Sequence, residues 1–103
     1  MKQQAIREFA DLILKKYGKK IEKIILYGST ARTEDNVDSD IDILVLSDKQ
    51  YDSLQRELSF LAFDIGSKYG VEISVQNYNR SHYEKYSSYS FFQNVDRDGV
   101  LIG

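Results

Sequence analysis

The sequence predicts a single α/β (α+β) domain in which helices pack on a small mixed sheet of three to four strands. Two apolar, β-branched runs at 21–27 and 40–46 predict buried strands, and apolar residues at helical spacing on either side of them predict amphipathic helices. This mixture of patterns is typical of helices that cover a sheet. The 103 residues are expected to form one domain, residues 1–103, without a second lobe.

The first half of the chain contains one predicted helix and two predicted strands. Apolar residues recur at spacings of three and four over residues 3–17, and Gly18 follows where a helix end favours a left-handed residue. The run IEKIILY at 21–27 predicts a buried strand that ends at Gly28. After a polar connection, the run DIDILVL at 40–46 predicts the second strand.

The second half is predicted to form a helix, a strand and a short helix. Apolar residues at helical spacing cover 51–65, and Gly70 supplies a helix stop. Residues 71–78 alternate between apolar and polar side chains, which predicts a strand with one face of each kind. Ser81 is predicted to cap a short helix, and Gly99 is predicted to end it before a short apolar tail.

Composition excludes several classes of protein. A net charge of -2 gives no global attraction to a polyanion, so strong nucleic-acid binding is not expected. The absence of cysteine excludes a disulfide framework and a thiolate zinc site. No apolar run approaches the roughly 20 residues of a membrane span, and the first residues are too charged for a signal peptide. We therefore expect a cytoplasmic protein that does not bind membranes.

Asp40 and Asp42 lie two residues apart on a predicted strand, so their side chains are expected to leave the same face of the sheet. At a rise of about 3.3 Å per residue, their Cα atoms lie about 6 to 7 Å apart, and the carboxylates can converge on shared cations. Ile41, Ile43 and Val45 alternate with them and are predicted to face the core. Two like charges beside a core raise one another's pKa unless a cation compensates them.

Glu72 lies on the polar face of the predicted strand 71–78. If that strand pairs beside the 40–46 strand, Glu72 completes a triad of oxygen ligands with Asp40 and Asp42. Such a triad suits Mg²⁺, which prefers carboxylate and phosphate oxygens. A pair of such ions stabilises the attacking and leaving oxygens of an in-line phosphoryl or nucleotidyl transfer.

Gly28 and Ser29 follow the first predicted strand, where a turn or helix is expected to start. Glycine lets the backbone approach a phosphate, and Ser29 and backbone amides can donate hydrogen bonds to its oxygens. Arg32, one turn further on, can add a positive charge against a triphosphate. The order is therefore an anion cradle, a metal-binding carboxylate pair and a third carboxylate.

These residues resemble a known motif. GSTAR followed by SDID resembles the Gly-Ser, then Asp-x-Asp, motif of the DNA polymerase beta-like nucleotidyltransferase superfamily, and in particular its minimal nucleotidyltransferase branch. YGVEIS resembles the strand that carries the third acidic residue in that branch, and FFQNVDRDGVLI is similar to its closing segment. The resemblance covers about residues 21–102 and implies the polymerase beta-like fold.

The resemblance also implies roles for single residues. Gly28 and Ser29 would hold the β- and γ-phosphates of a nucleoside triphosphate, and Asp40 and Asp42 would bind Mg²⁺. Glu72 would share a metal or deprotonate the acceptor hydroxyl. The branch usually has aspartate at this third position, so Glu72 is a departure from its pattern.

The activity implied by the resemblance is Mg²⁺-dependent transfer of a nucleoside monophosphate, AMP from ATP, to a hydroxyl acceptor with release of pyrophosphate. The acceptor is expected to come from another protein, and members of this branch pair with helical HEPN-domain proteins, some as antitoxins that adenylylate a tyrosine of the toxin. The alternative is a non-catalytic antitoxin subunit that binds a nucleotide or a partner. The sequence leaves the oligomeric state open, including a homo-oligomer.

Several residues have simpler interpretations. A calcium loop of the EF-hand type starting at Asp38 fails, because Ile43 stands where glycine is needed and Lys49 where a bidentate glutamate belongs. His82 is predicted to be a helix-start residue and not a catalyst. Glu72 could be solvent-facing, Arg32 a salt-bridge partner and Ser29 a helix cap. Four tyrosines could stack on a base, but burial against the sheet or at a partner interface is the preferred prediction: Tyr78, Tyr83, Tyr86 and Tyr89.

Overall fold

The structure is a computed structural model and describes residues 2–28 and 40–103. The described helices are α1 (Lys2–Tyr17), α2 (Leu54–Tyr69), α3 (Arg80–Lys85) and α4 (Ser90–Asp98), with a 3₁₀ turn at Gly18–Lys20. The described strands are β1 (Ile21–Tyr27), β2 (Ile41–Ser47), β3 (Ile73–Asn79) and β4 (Val100–Leu101). The α+β class predicted from the sequence is confirmed.

The four strands form one mixed sheet in the order β3-β2-β1-β4. The strand β1 pairs antiparallel with β2 and with β4, whereas β2 and β3 are parallel. The condition set for Glu72, that its strand pairs beside the 40–46 strand, is therefore met. The parallel register joins Ile41 to Ile73 and Asp42 to Ser74, and the antiparallel register joins Tyr27 to Asp42.

One face of the sheet carries the larger core, beneath α1 and α2. Ile41, Ile43 and Val45 of β2 belong to this core, as predicted from their alternation with the aspartates. They pack with buried side chains of both helices, including Phe9, Ile13 and Leu58. The two helices run antiparallel, since the Tyr17 hydroxyl at the end of α1 donates to Glu57 in the first turn of α2.

The other face of the sheet carries a smaller core. Leu44 and Leu46 of β2 pack there with Val95 of α4, and partly buried Tyr27 and Tyr78 lie beside them. The strand β2 is therefore buried on both faces along most of its length. Because its apolar run is continuous after Ile43, the sequence could not separate these two faces.

The C-terminal part of the chain differs from its prediction. Ser81 is not the cap: the N-cap is Asn79, whose side-chain oxygen accepts a hydrogen bond from the His82 backbone N–H. The predicted single short helix is two helices, α3 and α4. The apolar tail pairs with β1 as β4.

The two predicted helix stops after α1 and α2 are confirmed. Gly18 and Gly70 both have positive φ, 56° and 67°. Gly70 is the C-cap of α2.

The side chain of Gln55 in α2 covers part of the outer edge of β3. Its Nε2 donates to the Val75 carbonyl at 3.0 Å, and its Oε1 accepts from the Asn77 backbone N–H at 2.7 Å. The Gln55 amide thus makes two hydrogen bonds that a further strand would make with the β3 backbone. These bonds protect an edge strand that is otherwise available for pairing.

Four tyrosine hydroxyls donate to carboxylates. Tyr17 donates to Glu57 at 2.7 Å, Tyr51 to Asp48 at 2.7 Å and Tyr69 to Glu8 at 2.6 Å. Tyr83 donates to Asp96.

Within the described residues, no helix is long and apolar enough to cross a membrane.

Candidate functional site

Asp40 and Asp42 stand at the start of β2, on the face opposite the larger core. Ile41 and Ile43 point into that core, so the residues that alternate with them face the other way. Asp40 precedes the strand and is exposed, whereas Asp42 is partly buried. The structure therefore brings the two aspartates to one face of the sheet, as the spacing predicts.

The Asp42 carboxylate lies against the end of β1. Gly28 has a φ of 78°, and a Cβ built on it would lie 2.4 Å from Oδ2 of Asp42. The pKa of Asp42 is raised above its usual range, first by burial and then by the charge of Asp40. The ionised form of Asp42 is thus held at an energetic cost that a cation would offset.

Tyr27 lies beside Asp42 in the neighbouring strand. Burial is the largest cause, followed by the charges of Asp42 and Tyr78, and together they raise the pKa of Tyr27 to about 12. The phenol therefore keeps its proton at neutral pH and is available as a hydrogen-bond donor next to the carboxylates. The Phe91 ring of α4 meets the Tyr27 ring edge-on, with 5.5 Å between their centroids.

Glu72 is the residue immediately before β3. Its carbonyl accepts a hydrogen bond of 2.9 Å from the Ile41 N–H, so its backbone lies next to the start of β2. Its side chain is exposed, and the residue lines a cavity of about 360 Å³ between α2 and the segment that leads into β3. In the described part of the chain, no group of three or more His, Cys, Asp and Glu side chains is placed to hold a metal ion. The structure thus brings Asp40 and Asp42 together but does not gather Glu72 with them.

Two predicted phosphate-binding residues, Ser29 and Arg32, lie outside the described residues. The same holds for Asp38, the start of the rejected calcium loop. Gly28 is the described member of the predicted anion cradle.

The predicted packing of four tyrosines against the sheet is confirmed for two of them, and His82 lies at a helix start as predicted. Tyr78 and Tyr83 pack against the smaller core. His82 lies in the first turn of α3, and its ring stacks on Tyr78 with 4.9 Å between centroids. Tyr89, by contrast, is 61% exposed.

Comparison with known proteins identifies the family to which this arrangement belongs. The family model described as polymerase beta, nucleotidyltransferase, matches residues 10–102. The chain belongs to this nucleotidyltransferase family. A relative in Methanocaldococcus jannaschii is named "Putative protein adenylyltransferase MJ0604"; it is 36% identical over 100 residues, which are 97% of this chain and 96% of that protein.

Solved structures similar to this nucleotidyltransferase include toxin–antitoxin complexes. A chain of a toxin–antitoxin structure with AMP-PNP has a TM-score of 0.66 at 23% identity, over 92% of this chain and 70% of that one. A chain of the tri-AMPylated Shewanella oneidensis HEPN toxin in complex with its MNT antitoxin has a TM-score of 0.61 at 23% identity, over 98% of this chain and 71% of that one. These similarities confirm the predicted fold, and the predicted resemblance to minimal nucleotidyltransferases is correct.

The described site of the nucleotidyltransferase suits a divalent cation. Asp40 and Asp42 supply hard oxygen donors on one sheet face, and burial and then the charge of Asp40 raise the pKa of Asp42. The backbone at Gly28 approaches the Asp42 carboxylate so closely that a Cβ there would displace the carboxylate. The residues present therefore fit Mg²⁺ as the metal that accompanies a nucleoside triphosphate.

Sequence reasoning missed two residues near this site, Tyr27 and Phe91. The sequence predicts only that Tyr27 belongs to a buried strand. The signal for a role in the site is its polar hydroxyl group directly before the Gly-Ser motif. Phe91 lies far from β1 in the sequence, and no local pattern predicts that the packing of α4 brings its ring against Tyr27.

Proposed function

We propose that this nucleotidyltransferase transfers AMP from ATP to a hydroxyl group of a partner protein, with Mg²⁺ as cofactor. The observation that carries the proposal is the Asp40–Asp42 pair, whose second carboxylate is held against the Gly28 backbone at the end of β1. The relative of 36% identity is named a protein adenylyltransferase over nearly the same length, which favours a protein acceptor over a small molecule.

In the proposed reaction, Asp40 and Asp42 would hold Mg²⁺. When bound, this ion would supply positive charge against the phosphate oxygens and the leaving pyrophosphate. The backbone at Gly28, with Ser29 and Arg32, binds the β- and γ-phosphates. The acceptor oxygen attacks the α-phosphorus, the bond to the β-phosphate oxygen breaks, and pyrophosphate leaves. Glu72 accepts the proton of the acceptor hydroxyl.

The proposed acceptor is a tyrosine of a helical HEPN-type partner, which this chain would neutralise as an antitoxin. Support comes from the fold shared with a chain of the tri-AMPylated HEPN toxin complex with its MNT antitoxin. A tyrosine hydroxyl would form a phosphodiester bond to AMP, the same type of bond that an alcohol acceptor would form.

The experiment uses α-labelled ATP, Mg²⁺, the full chain and the protein encoded by the neighbouring gene. We expect label on the neighbour, and a loss of transfer on the order of 100-fold or more for Asp40→Asn or Asp42→Asn. Asp64→Asn, at an exposed acid of α2, is the matched control and should leave transfer unchanged. Transfer that survives both active-site substitutions would contradict the proposal.

One observation favours a second candidate, a non-catalytic subunit that binds a nucleotide or a partner. Glu72 is exposed, and within residues 2–28 and 40–103 it is not gathered with Asp40 and Asp42 into a group that could hold a metal ion. A tight complex with the neighbouring protein, combined with no label transfer, would establish this second function instead.

A further inference from the structure

The sheet face beside Asp42 is only partly covered by helices. In the parallel register, Ser74 lies opposite Asp42 and Gln76 lies opposite Leu44. Ser74 and Gln76 are both exposed, whereas Leu44 is fully buried under the smaller core. Among the residues that the structure describes, an open strip of sheet therefore runs from the aspartates along β3, with polar side chains on its floor.

Phe91 stands at the margin of this strip. It is in the first turn of α4 and is 38% exposed, whereas the adjacent Phe92 is 5% exposed and belongs to the packed side of the helix. Its ring centroid lies 5.5 Å from that of Tyr27 and 6.2 Å from that of Tyr78. An aromatic ring that remains accessible at this point offers apolar surface to a ligand on the strip.

The other aromatic rings of this face are engaged in internal packing. Tyr78 is stacked on His82 at an interplanar angle of 14° and meets Phe92 edge-on. Tyr83 donates its hydroxyl to Asp96 and packs against Phe92. Phe91 is therefore the accessible ring that contacts Tyr27, the register partner of Asp42.

The spacing suits a nucleotide. Tyr27 is the register partner of Asp42 and the Phe91 ring contacts Tyr27, so one tyrosine lies between the carboxylate and the accessible ring. A ribose separates the α-phosphate of a nucleotide from its base, so a nucleotide with its phosphates at the aspartates can extend its base toward this ring. Gln76 projects from the floor of the strip, and a glutamine amide can pair with an adenine edge through one donor and one acceptor.

We infer that Phe91 and Gln76 form the nucleobase subsite of this nucleotidyltransferase, with the base stacked on the Phe91 ring and its edge bonded to the Gln76 amide. The inference rests on the proposed function, because it assumes that a nucleoside triphosphate binds at Asp40 and Asp42. It adds the residues that distinguish a nucleotide from a bare polyphosphate.

Calorimetry with the full chain and Mg²⁺ tests the stacking contact by comparing ATP with inorganic tripolyphosphate, which has no base. Phe91→Leu keeps apolar volume but removes the aromatic face. We expect it to weaken ATP binding by about 5- to 150-fold, the range of base–aromatic stacking, and to leave tripolyphosphate binding unchanged. Phe91→Tyr should restore ATP affinity. Phe63→Leu, at a 73% exposed ring on α2, is the matched control and should change neither ligand.

The Gln76 contact is tested by comparing ATP with GTP. Gln76→Ala is expected to reduce the discrimination between the two by about 5-fold or more, again without an effect on tripolyphosphate. The subsite is overturned if Phe91→Leu binds ATP as wild type does, or if ATP and tripolyphosphate weaken together. A wild-type protein that binds neither ligand would instead overturn the proposed function on which the subsite rests.

Discussion

At the residue scale, the site depends on a contact between a glycine and a carboxylate. Gly28 combines a positive φ with a position where any Cβ would collide with Oδ2 of Asp42. The positive φ and the lack of room for a Cβ therefore both favour glycine. The positive φ affects the stability of the fold, whereas the lack of room affects the placement of Asp42, a candidate metal ligand.

Gly28→Ala separates these two effects. We expect it to lower the free energy of unfolding by about 1 to 2 kcal/mol, because an alanine is strained at this φ. Displacement of the Asp42 carboxylate should in addition reduce label transfer by about 100-fold. Urea unfolding and the transfer assay measure the two effects.

Gly70→Ala is the control for Gly28→Ala. Gly70 has a similar φ of 67°, but nothing lies within 4 Å of a Cβ built there. It should show a comparable loss of stability with unchanged transfer. Equal activity of the two variants would mean that the contact with Asp42 has no role in the reaction.

The sequence predicts the common sheet face of Asp40 and Asp42 but not the residues that surround them. The period of two along a strand fixes the common face of Asp40 and Asp42 without any knowledge of neighbours. The position of Tyr27 opposite Asp42 depends on strand register, and the contact of Phe91 with Tyr27 depends on how α4 packs. Both are tertiary properties, because they join residues that no local pattern relates.

At the element scale, α1 and α2 are joined at both ends by tyrosine–glutamate hydrogen bonds. Tyr17 donates to Glu57 where α1 ends and α2 begins, and Tyr69 at the end of α2 donates to Glu8 of α1. The Tyr17 hydroxyl is the first cause of a lowered pKa of Glu57. This hydrogen bond therefore links helix packing to pH.

Tyr17→Phe is expected to lower Tm at neutral pH, and the difference from wild type should depend on pH. Because the folded pKa of Glu57 is lowered, its contribution to stability is present above the unfolded value of about 4.3 and is lost as the pH falls through the folded pKa. Thermal unfolding between pH 7 and pH 3 should thus show the two proteins converging in acid. Tyr89→Phe, at an exposed tyrosine, is the matched control. A Tyr17→Phe difference that stays constant with pH would contradict this account.

Element types were predictable, but several boundaries were not. The helices 3–17 and 51–65 and the three longer strands have clear periodicity, because each buries one continuous stripe or face. The break between α3 and α4 has no glycine or proline to mark it, and Asn79 caps α3 from the last position of a strand. A capping asparagine looks the same in sequence as a polar strand residue.

At the scale of the whole molecule, the last described residues close the sheet against β1. The Ile24 N–H donates to the Gly103 carbonyl at 3.0 Å, and the Ile102 N–H donates to the Ile24 carbonyl at 2.8 Å. Arg7 of α1 also donates to the Ile102 carbonyl at 2.8 Å. Residues 100–103 are therefore hydrogen-bonded to both α1 and β1, which lie far from them in the sequence.

Deletion of residues 100–103 is expected to lower the free energy of unfolding by about 2 to 4 kcal/mol, since each lost hydrogen bond contributes about 1 kcal/mol. Urea unfolding measures the change. Substitution of the exposed Val100 and Leu101 by alanine keeps the backbone bonds and should cost less than about 1 kcal/mol in total. Equal losses for the deletion and the substitutions would show that side chains, and not backbone pairing, hold this strand.

The tyrosine–carboxylate hydrogen bonds have a consequence for an enzyme that would modify tyrosine. A phenol that donates to a carboxylate keeps its proton, and Tyr17, Tyr51, Tyr69 and Tyr83 all have a raised pKa. Each hydrogen bond also ties the hydroxyl to another side chain of the same fold. Under the proposed chemistry, half of the eight tyrosines of the chain would have to break such a bond before they could enter an active site, which favours transfer to a partner over transfer to the enzyme itself.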